Sequence, residues 1–292
     1  MIRLTTIIGL LLAATLSLAQ DAPASFKSTE VVPGIYTLEG DGVFAGGAIS
    51  ILVGDEYNVL IDDGMTPFAP ALIEAATELA GGPIDFVINT HVHGDHVGGN
   101  AALSESGAIV YAHDNIRKRL IDKPDDAGGP AGLPVITFSD EVSFHVNGLE
   151  ASVFHVAKAH TDGDAVIEFR GANVIHAGDV FFNQVFPYID MDNGGSVAGF
   201  LAAQRRILAM ADDDTAIIAG HGKIVANKAD LQAAVDMLVD AEARVEALVL
   251  EGMTEEEILA ANPLAGYHDT WNWNFITTER MTKTLYRWLT SE

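Results

Sequence analysis

Two hydrophobic patterns divide this chain into predicted strands and predicted helices. Short apolar runs bounded by Gly, Pro, Asp or Asn are typical of β-strands. These runs lie at 31–38, 48–53, 58–61, 84–89, 109–112, 142–145, 149–155, 164–169, 173–176 and 216–219. Apolar residues spaced three or four apart indicate helices with one buried face. Such spacing covers 67–80, 115–121, 196–211, 228–250, 254–260 and 274–289.

The order of these elements predicts the fold class. Strands and helices mix in two similar halves, and each half is β-rich first and helical last. Two sheets packed face to face, with helices on both outer faces, would bury the apolar side of every element. We therefore expect an α/β protein with a four-layer αββα sandwich.

The first 19 residues predict a secretory signal peptide. Arg3 is their only charged residue, an apolar run covers 4–18, and Ser17 and Ala19 supply the small residues of a cleavage site. The run is about 15 residues long, which is short of the roughly 20 that a membrane-spanning helix needs. We expect cleavage after Ala19, a catalytic domain over 20–292, a periplasmic or secreted location, and no stable membrane association after cleavage.

Composition narrows the partners and the ligand chemistry. The chain has 16 basic and 41 acidic residues, a formal net charge of −25. Such a surface repels nucleic acid and anionic membranes, so we expect no nucleic-acid partner. The chain has no Cys, so any metal would be held by His, Asp or Glu. Nothing in the composition indicates an oligomeric state.

The segment 89–100 concentrates candidate metal ligands directly after a predicted strand. His91 and His93 are separated by one residue, and alternate residues of an extended chain share a face. Asp95 and His96 follow where the chain turns into the next helix, so they can point toward a neighbouring position. Four ligand-type side chains therefore fall within six residues.

Three further candidate ligands follow later apolar runs, each beside a Gly. They are His160, Asp179 and His221. Loops at strand ends gather at one edge of packed sheets, so we expect these residues to join the first four. Imidazole and carboxylate ligands suit zinc, and iron or manganese are alternatives for the same set.

The pattern His-x-His-x-Asp-His, followed by separated His, Asp and His, resembles the metallo-β-lactamase superfamily. Leu-Ile-Asp-Asp-Gly at 60–64 also fits that resemblance. The family implies a hydrolase of a small-molecule substrate with two Zn²⁺ ions, in which a metal-bound hydroxide attacks a carbonyl and Asp95 orients the nucleophile. The implied roles are one metal site of His91, His93 and His160, a second of Asp95, His96 and His221, a bridge at Asp179, and an orienting group at Asp62.

Export to the periplasm would favour a β-lactamase-like hydrolase of broad range within this family. Two features favour the alternative, a lactone or thioester hydrolase of glyoxalase II type. The bridging Asp179 resembles that branch, and no cationic residue follows it, because Phe-Phe-Asn-Gln stands at 181–184. A non-catalytic metal-binding protein on the same fold is a third interpretation.

Several other residues are candidates for contact with substrate or ligands. Phe44 lies within a Gly-rich loop at 40–47 between two predicted strands, where an aromatic tip could cover a site. Asn183 and Tyr188 follow Asp179, and His176 lies three residues before it. The segment Trp-Asn-Trp-Asn-Phe at 271–275 is interpreted as a hydrophobic cluster that anchors a helix, in preference to a pocket wall.

Overall fold

Two β-sheets pack face to face at the centre of the structure. The computed structural model describes residues 24–291, so the signal-peptide prediction for 1–19 lies outside the described residues. The core between the sheets is aliphatic: Ile35, Leu52 and Ile61 of one sheet share a buried cluster with Val153 and Ile167 of the other. Complete burial of these side chains follows from the short apolar runs in the sequence.

The first sheet has seven strands in sequence order. Its strands are β1 Phe26–Val32, β2 Ile35–Gly40, β3 Ile49–Leu52, β4 Val59–Ile61, β5 Phe86–Ile88, β6 Ile109–His113 and β7 Ile136–Phe138. Neighbours from β1 to β4 are antiparallel, and neighbours from β4 to β7 are parallel. The carboxyl ends of β4 and β5 therefore meet at one edge.

The second sheet has six strands in the order β13-β12-β11-β10-β9-β8. They are β8 Glu141–Val146, β9 Leu149–His155, β10 Ala165–Arg170, β11 Val174–Asn183, β12 Ala216–Gly222 and β13 Val225–Ala226. All neighbours are antiparallel except β11 and β12, which are parallel. Strands β9, β11 and β12 consequently point in one direction and end at the same edge.

Helices cover both outer faces. They are α1 Ala69–Ala80, α2 Gly94–Val97, α3 Asn100–Glu105, α4 Asp114–Asp122, α5 Val197–Met210, α6 Lys228–Leu250, α7 Glu255–Ala261, α8 His268–Trp271 and α9 Thr278–Thr290. Leu72 of α1 packs in one cluster with Val87 of the first sheet. Ile207 of α5 and Leu231 of α6 pack in another with Ile217 of the second sheet. This arrangement confirms the four-layer αββα sandwich.

Two element predictions are wrong at their boundaries for identifiable reasons. The run 31–38 is part of a hairpin, because the chain turns at Gly34, where φ is +84°, a value that glycine adopts readily. The last helix begins at Thr278 and not at 274, because the Thr277 side chain caps it by accepting from the Arg280 N–H. Helix α6 has the predicted bounds. Among residues 24–291, no helix is both long and apolar enough to span a membrane.

Candidate metal centre

The seven predicted ligands meet at the edge where strands of both sheets end. His91 and His93 lie in the loop after β5, His160 lies in the loop after β9, and Asp95 lies in the first turn of the short α2. In each of three overlapping sets, the ligand-type atoms lie within 4.8 Å of one another, and two of these sets contain all seven predicted ligands. The first group is His91, His93, His160 and Asp179, the second is Asp95, His96 and His221, and the third set joins Asp62 to His91 and His96.

Asp179 lies between the two groups. Its Oδ2 is 3.7 Å from His91 Nε2 and 3.5 Å from His160 Nε2. Its Oδ1 is 3.1 Å from His96 Nε2, and its Oδ2 is 3.2 Å from His221 Nε2. One carboxylate thus faces imidazoles of both groups. Strand pairing fixes this position, because β11 carries Asp179 beside β12, which carries His221.

Unsatisfied buried atoms indicate that the cluster fits divalent cations. Among the described residues, His91 Nε2, His96 Nε2 and Asp179 Oδ1 are buried without a hydrogen-bond partner. Leaving such atoms unpaired costs about 1–3 kcal/mol each, and a bound cation would satisfy all three. Nitrogen and oxygen donors without sulfur suit zinc and also accept iron or manganese. The residues present therefore fit a metal centre.

Two imidazoles of the first group are in the neutral form that binds metals. Burial lowers the pKa of His91 well below its usual range and lowers the pKa of His160 to about 3. Both imidazoles are consequently neutral at physiological pH, which is the form that binds metals. The Nδ1–H of His160 donates to the Tyr188 carbonyl over 2.7 Å, so its Nε2 lone pair is available to the cluster.

The second group concentrates negative charge. Burial lowers the pKa of His96, but the carboxylates of Asp179, Asp95 and Asp62 outweigh burial and raise that pKa well above its usual value. Burial likewise raises the pKa of Asp179, but His221, His96 and His91 outweigh it and hold that pKa well below its usual range. The site thus attracts positive charge, which a divalent cation supplies more completely than a proton.

Asp62 orients His96 through the ring nitrogen that points away from the cluster. Its Oδ2 accepts from the Nδ1–H of His96 over 2.7 Å and from the Thr90 hydroxyl over 2.6 Å. Its Oδ1 accepts the Thr90 N–H over 2.7 Å. The side chain is fully buried, and φ is +58° because the chain turns sharply after β4. This arrangement leaves His96 Nε2 free to face Asp95 and Asp179.

We expect Asp62→Asn to weaken metal binding by about 10- to 100-fold, because an amide accepts the His96 Nδ1–H more weakly than a carboxylate. Asn tolerates positive φ, so the backbone can keep its turn. Competition with a chromophoric chelator measures the affinity. Asp85→Asn is the matched control, because the Asp85 carboxylate accepts only a backbone N–H, that of Asn58, at the opposite end of the first sheet. Unchanged affinity in Asp62→Asn would contradict the assigned role.

Asp190 is a functional candidate that the sequence analysis missed. Its Oδ2 accepts from the Nε2–H of His93 over 2.8 Å, so the Nδ1 of His93 faces His160 Nε2 at 2.9 Å. Burial raises the pKa of Asp190, but hydrogen bonds from His93 and Asn193 outweigh it and lower that pKa below its usual range. No strand-end signal marks Asp190, and its partner His93 is 97 residues away in the chain.

Of the other residues predicted to contact substrate or ligands, two line a cavity and two are buried within the protein. Tyr188 and Phe44 line a cavity above the cluster. Asn183 does not: it is buried at the end of β11, and its Nδ2 donates to the Lys223 carbonyl over 2.9 Å. His176 is buried within β11, and its Nδ1 accepts the Gly178 N–H over 3.2 Å. His176 therefore supports the backbone beside Asp179 and takes part in none of the candidate ligand groups.

The loop 40–47 covers one side of this cavity. Its tip residue Phe44 is 60% exposed, and its ring stacks on His221 at a centroid distance of 6.0 Å. The foot of the loop is anchored, because the Gly47 N–H donates to the Asp95 carbonyl over 3.1 Å and the Ala48 N–H donates to the Gly220 carbonyl over 2.8 Å. The tip is thus exposed above a fixed base.

The cavity has a volume of about 840 Å³, and its floor includes His93, Asp95, Asp179 and His221. Trp273 and Phe275 form part of its wall, which corrects the interpretation of 271–275 as only a helix-anchoring cluster. Trp273 does both, since its Nε1–H donates to the Phe186 carbonyl over 2.9 Å while its ring faces the cavity. A pocket of this size holds a drug-sized ligand.

The chain is similar in sequence to known proteins. A sequence model described as the metallo-beta-lactamase superfamily matches residues 43–222. A hydroxyacylglutathione hydrolase from Polaromonas sp. is 31% identical over 156 residues, covering 52% of this chain and 54% of that protein. A hydroxyacylglutathione hydrolase from Brucella ovis is 28% identical over 178 residues, covering 57% of this chain and 62% of that protein. The chain thus spans little more than half the length of these relatives.

A solved structure shares the fold. The metallo-beta-lactamase from Pontibacter korlensis superimposes with a TM-score of 0.65 at 17% identity, covering 74% of this chain and all of that one. The family match includes every one of the seven candidate ligands. The chain belongs to the metallo-beta-lactamase superfamily.

Proposed function

We propose that this protein is a dinuclear zinc hydrolase that cleaves a thioester or lactone carbonyl. The observation that carries the proposal is the position of Asp179, whose carboxylate lies 3.1–3.7 Å from four imidazoles divided between two ligand groups. One carboxylate between two groups of ligand-type side chains can bridge two cations. His91, His93 and His160 would hold one ion, Asp95, His96 and His221 the other, and Asp179 both.

The relatives support the thioester or lactone alternative better than β-lactam hydrolysis, the main sequence expectation. Both relatives described above are named hydroxyacylglutathione hydrolase, so they act on a thioester by name. In addition, the cavity wall among the described residues contains no Lys or Arg that could bind the carboxylate of a β-lactam. The solved lactamase supports the fold alone at 17% identity.

The side chains of the site can perform the steps of carbonyl hydrolysis. Two zinc ions, when bound, lower the pKa of water and polarise a carbonyl oxygen. Asp95 Oδ2 lies 3.4 Å from His221 Nε2 at the cavity floor, where it can accept a proton from the attacking water. Burial and the nearby Asp190 raise the pKa of Tyr188, so its hydroxyl stays protonated and can donate a hydrogen bond to the developing oxyanion.

A substrate panel tests this function. Of a neutral thioester, an acyl-homoserine lactone and S-lactoylglutathione, we expect zinc-loaded protein to hydrolyse at least one about tenfold faster, in kcat/KM, than nitrocefin. Removal of metal by a chelator should abolish turnover, and added zinc should restore it. Preference for nitrocefin would favour the β-lactamase interpretation. No turnover of any compound by protein with two bound metals would favour the non-catalytic metal-binding alternative.

We also propose that residues 20–292 act as one catalytic domain outside the cytoplasm. The pattern at 1–19, with one charge and a long apolar run, supports this location. A mature N-terminus at Gln20 in protein recovered from the periplasm or medium is the expected result, and an intact Met1 in the cytoplasm would contradict it.

A further inference from the structure

We infer that the cavity selects substrates whose group remote from the carbonyl is apolar and either neutral or cationic, and that it disfavours anionic carriers such as glutathione. This inference rests on the proposed function, because it concerns the remote part of the same substrate. Three observations carry it: an aromatic wall, the sign of the charges around the cavity, and the part of the chain that supplies the wall.

Aromatic side chains form part of the cavity wall. The rings of Trp273 and Phe275 meet edge to face at 5.6 Å, and those of Tyr188 and Phe275 do so at 5.3 Å. Phe275 is 46% exposed, and Phe44 of loop 40–47 is 60% exposed. An apolar ligand that covers this exposed aromatic area is stabilised by the hydrophobic effect.

Carboxylates supply the charge around this wall. Apart from the candidate ligands, the charged residues lining the cavity are Asp125, Asp126 and Asp190, and no Lys or Arg lines it within residues 24–291. Asp190 is engaged by His93 and Asn193. Asp125 and Asp126 are exposed, and within the same part of the chain neither has a cation within 4.0 Å.

Arg280 packs against the aromatic wall, but it does not change the negative charge of the cavity lining. The Arg280 guanidinium lies 4.2 Å from the centroid of the Phe275 ring and donates to the Phe275 carbonyl over 3.0 Å. It does not line the cavity. Away from the metal centre, a carboxylate on the remote part of a substrate would therefore lie near the exposed carboxylates of Asp125 and Asp126 and beside no Lys or Arg of the cavity lining, in a protein whose formal net charge is −25.

Part of the aromatic wall comes from a segment outside the family match, whereas Tyr188 and Phe44 lie within it. Trp273 and Phe275 lie beyond residues 43–222, whereas every candidate ligand lies within them. The reactive centre can thus be shared with the hydroxyacylglutathione hydrolases while the region that contacts the carrier differs. The cavity floor, where Asp179 Oδ1 is buried without a hydrogen-bond partner, identifies this space as a ligand site.

Three thioesters that differ only in remote charge test the inference. Each joins a phenylacetyl group to an N-acylcysteamine whose far end is a trimethylammonium, a methyl or a carboxylate group, so leaving-group reactivity is nearly constant. With the zinc-loaded protein, we expect kcat/KM for the cationic and neutral compounds to exceed that for the anionic compound by about tenfold. The difference should shrink in 0.5 M NaCl, because exposed carboxylates are screened. Equal or better hydrolysis of the anionic compound would overturn the inference.

Binding of the three corresponding thioethers, measured by calorimetry, separates this inference from the proposed function. Thioethers cannot be hydrolysed, so their order of affinity reports charge preference even if no thioester is turned over. Binding in the expected order without thioester hydrolysis would reject the proposed function only. Hydrolysis without a charge preference would reject the inference only. Equal affinity for the three thioethers, or no binding of any of them, would also reject the inference only.

A pair of double variants assigns the preference to named residues. Asp125→Asn/Asp126→Asn should lower the ratio of cationic to anionic kcat/KM, and the same ratio of thioether affinities, by about fivefold. Asp213→Asn/Asp214→Asn is the matched control, because it removes the same charge from the exposed turn before β12, at the opposite end of that strand from His221. Equal effects of the two variants would show that net charge, and not the cavity, sets the preference.

Discussion

Asp179→Asn is expected to lower kcat/KM by about 10³-fold or more, because the carboxylate is proposed to hold both cations. The residue is 4% exposed and faces four imidazoles, so no solvent or neighbouring acid can replace its charge. An amide is neutral, and its NH₂ group would point at imidazole nitrogens or at a cation. Turnover and metal content by elemental analysis, measured on the same preparation, check the result.

The control for this variant is Asp212→Asn. Asp212 precedes β12 at the end remote from His221, and its carboxylate accepts from Asn173, Thr215 and the Asp214 N–H. We expect the control to lose some stability while keeping two metals and full turnover. If Asp179→Asn kept both metals and lost less than about tenfold in kcat/KM, Asp179 would not bridge the centre.

Gly220→Ala should lower the free energy of unfolding by about 3 kcal/mol or more and weaken metal binding as well. A Cβ at this position would lie 2.7 Å from the carbonyl carbon of Gly178 and would overlap Asp179 Oδ1. Backbone atoms of the adjacent strand cannot move aside without breaking the β11–β12 pairing. Urea denaturation of metal-free protein measures the stability separately from the metal contribution.

Gly266→Ala is the matched control for that substitution. A Cβ at Gly266 would meet nothing within 4 Å, and its φ lies outside the positive region. We expect a change of no more than about 0.5 kcal/mol. Equal stabilities of the two variants would mean that β11 and β12 are less closely packed beside Asp179 than the structure indicates.

The layers, and the segments that carry the candidate ligands, could be predicted from the sequence because both depend on local patterns. Short apolar runs marked the strands, and candidate ligands such as His91 and His221 followed those runs closely. Asn183 was a candidate contact, but it does not line the cavity, because β11 continues from Val174 to Asn183 with register shifts near Gly178, whereas its apolar signal weakens after His176. A strand that bends inside its own run cannot be recognised from alternation alone.

The remaining site residues depend on contacts between distant parts of the chain. Asp190 meets His93 across 97 residues, and Trp273 reaches the cavity because its indole bonds to the Phe186 carbonyl 87 residues earlier. Asp125 and Asp126 lie in a short 3-10 turn after α4 whose sequence resembles any solvated loop. Only the packing of the two sheets brings these segments to one edge, so no local pattern could identify them.

The loop between β2 and β3 can change substrate selectivity without moving the candidate metal ligands. The two strands are antiparallel neighbours, so residues can be inserted or deleted around Phe44 without shifting the pairing of Leu38 with Ile49. The bonds from Gly47 and Ala48 would still fix the approach to the floor. Evolution could therefore change loop 40–47 to accept new compounds while the distances between the reacting atoms stay the same. Laboratory selection for new specificities would best randomise this loop first.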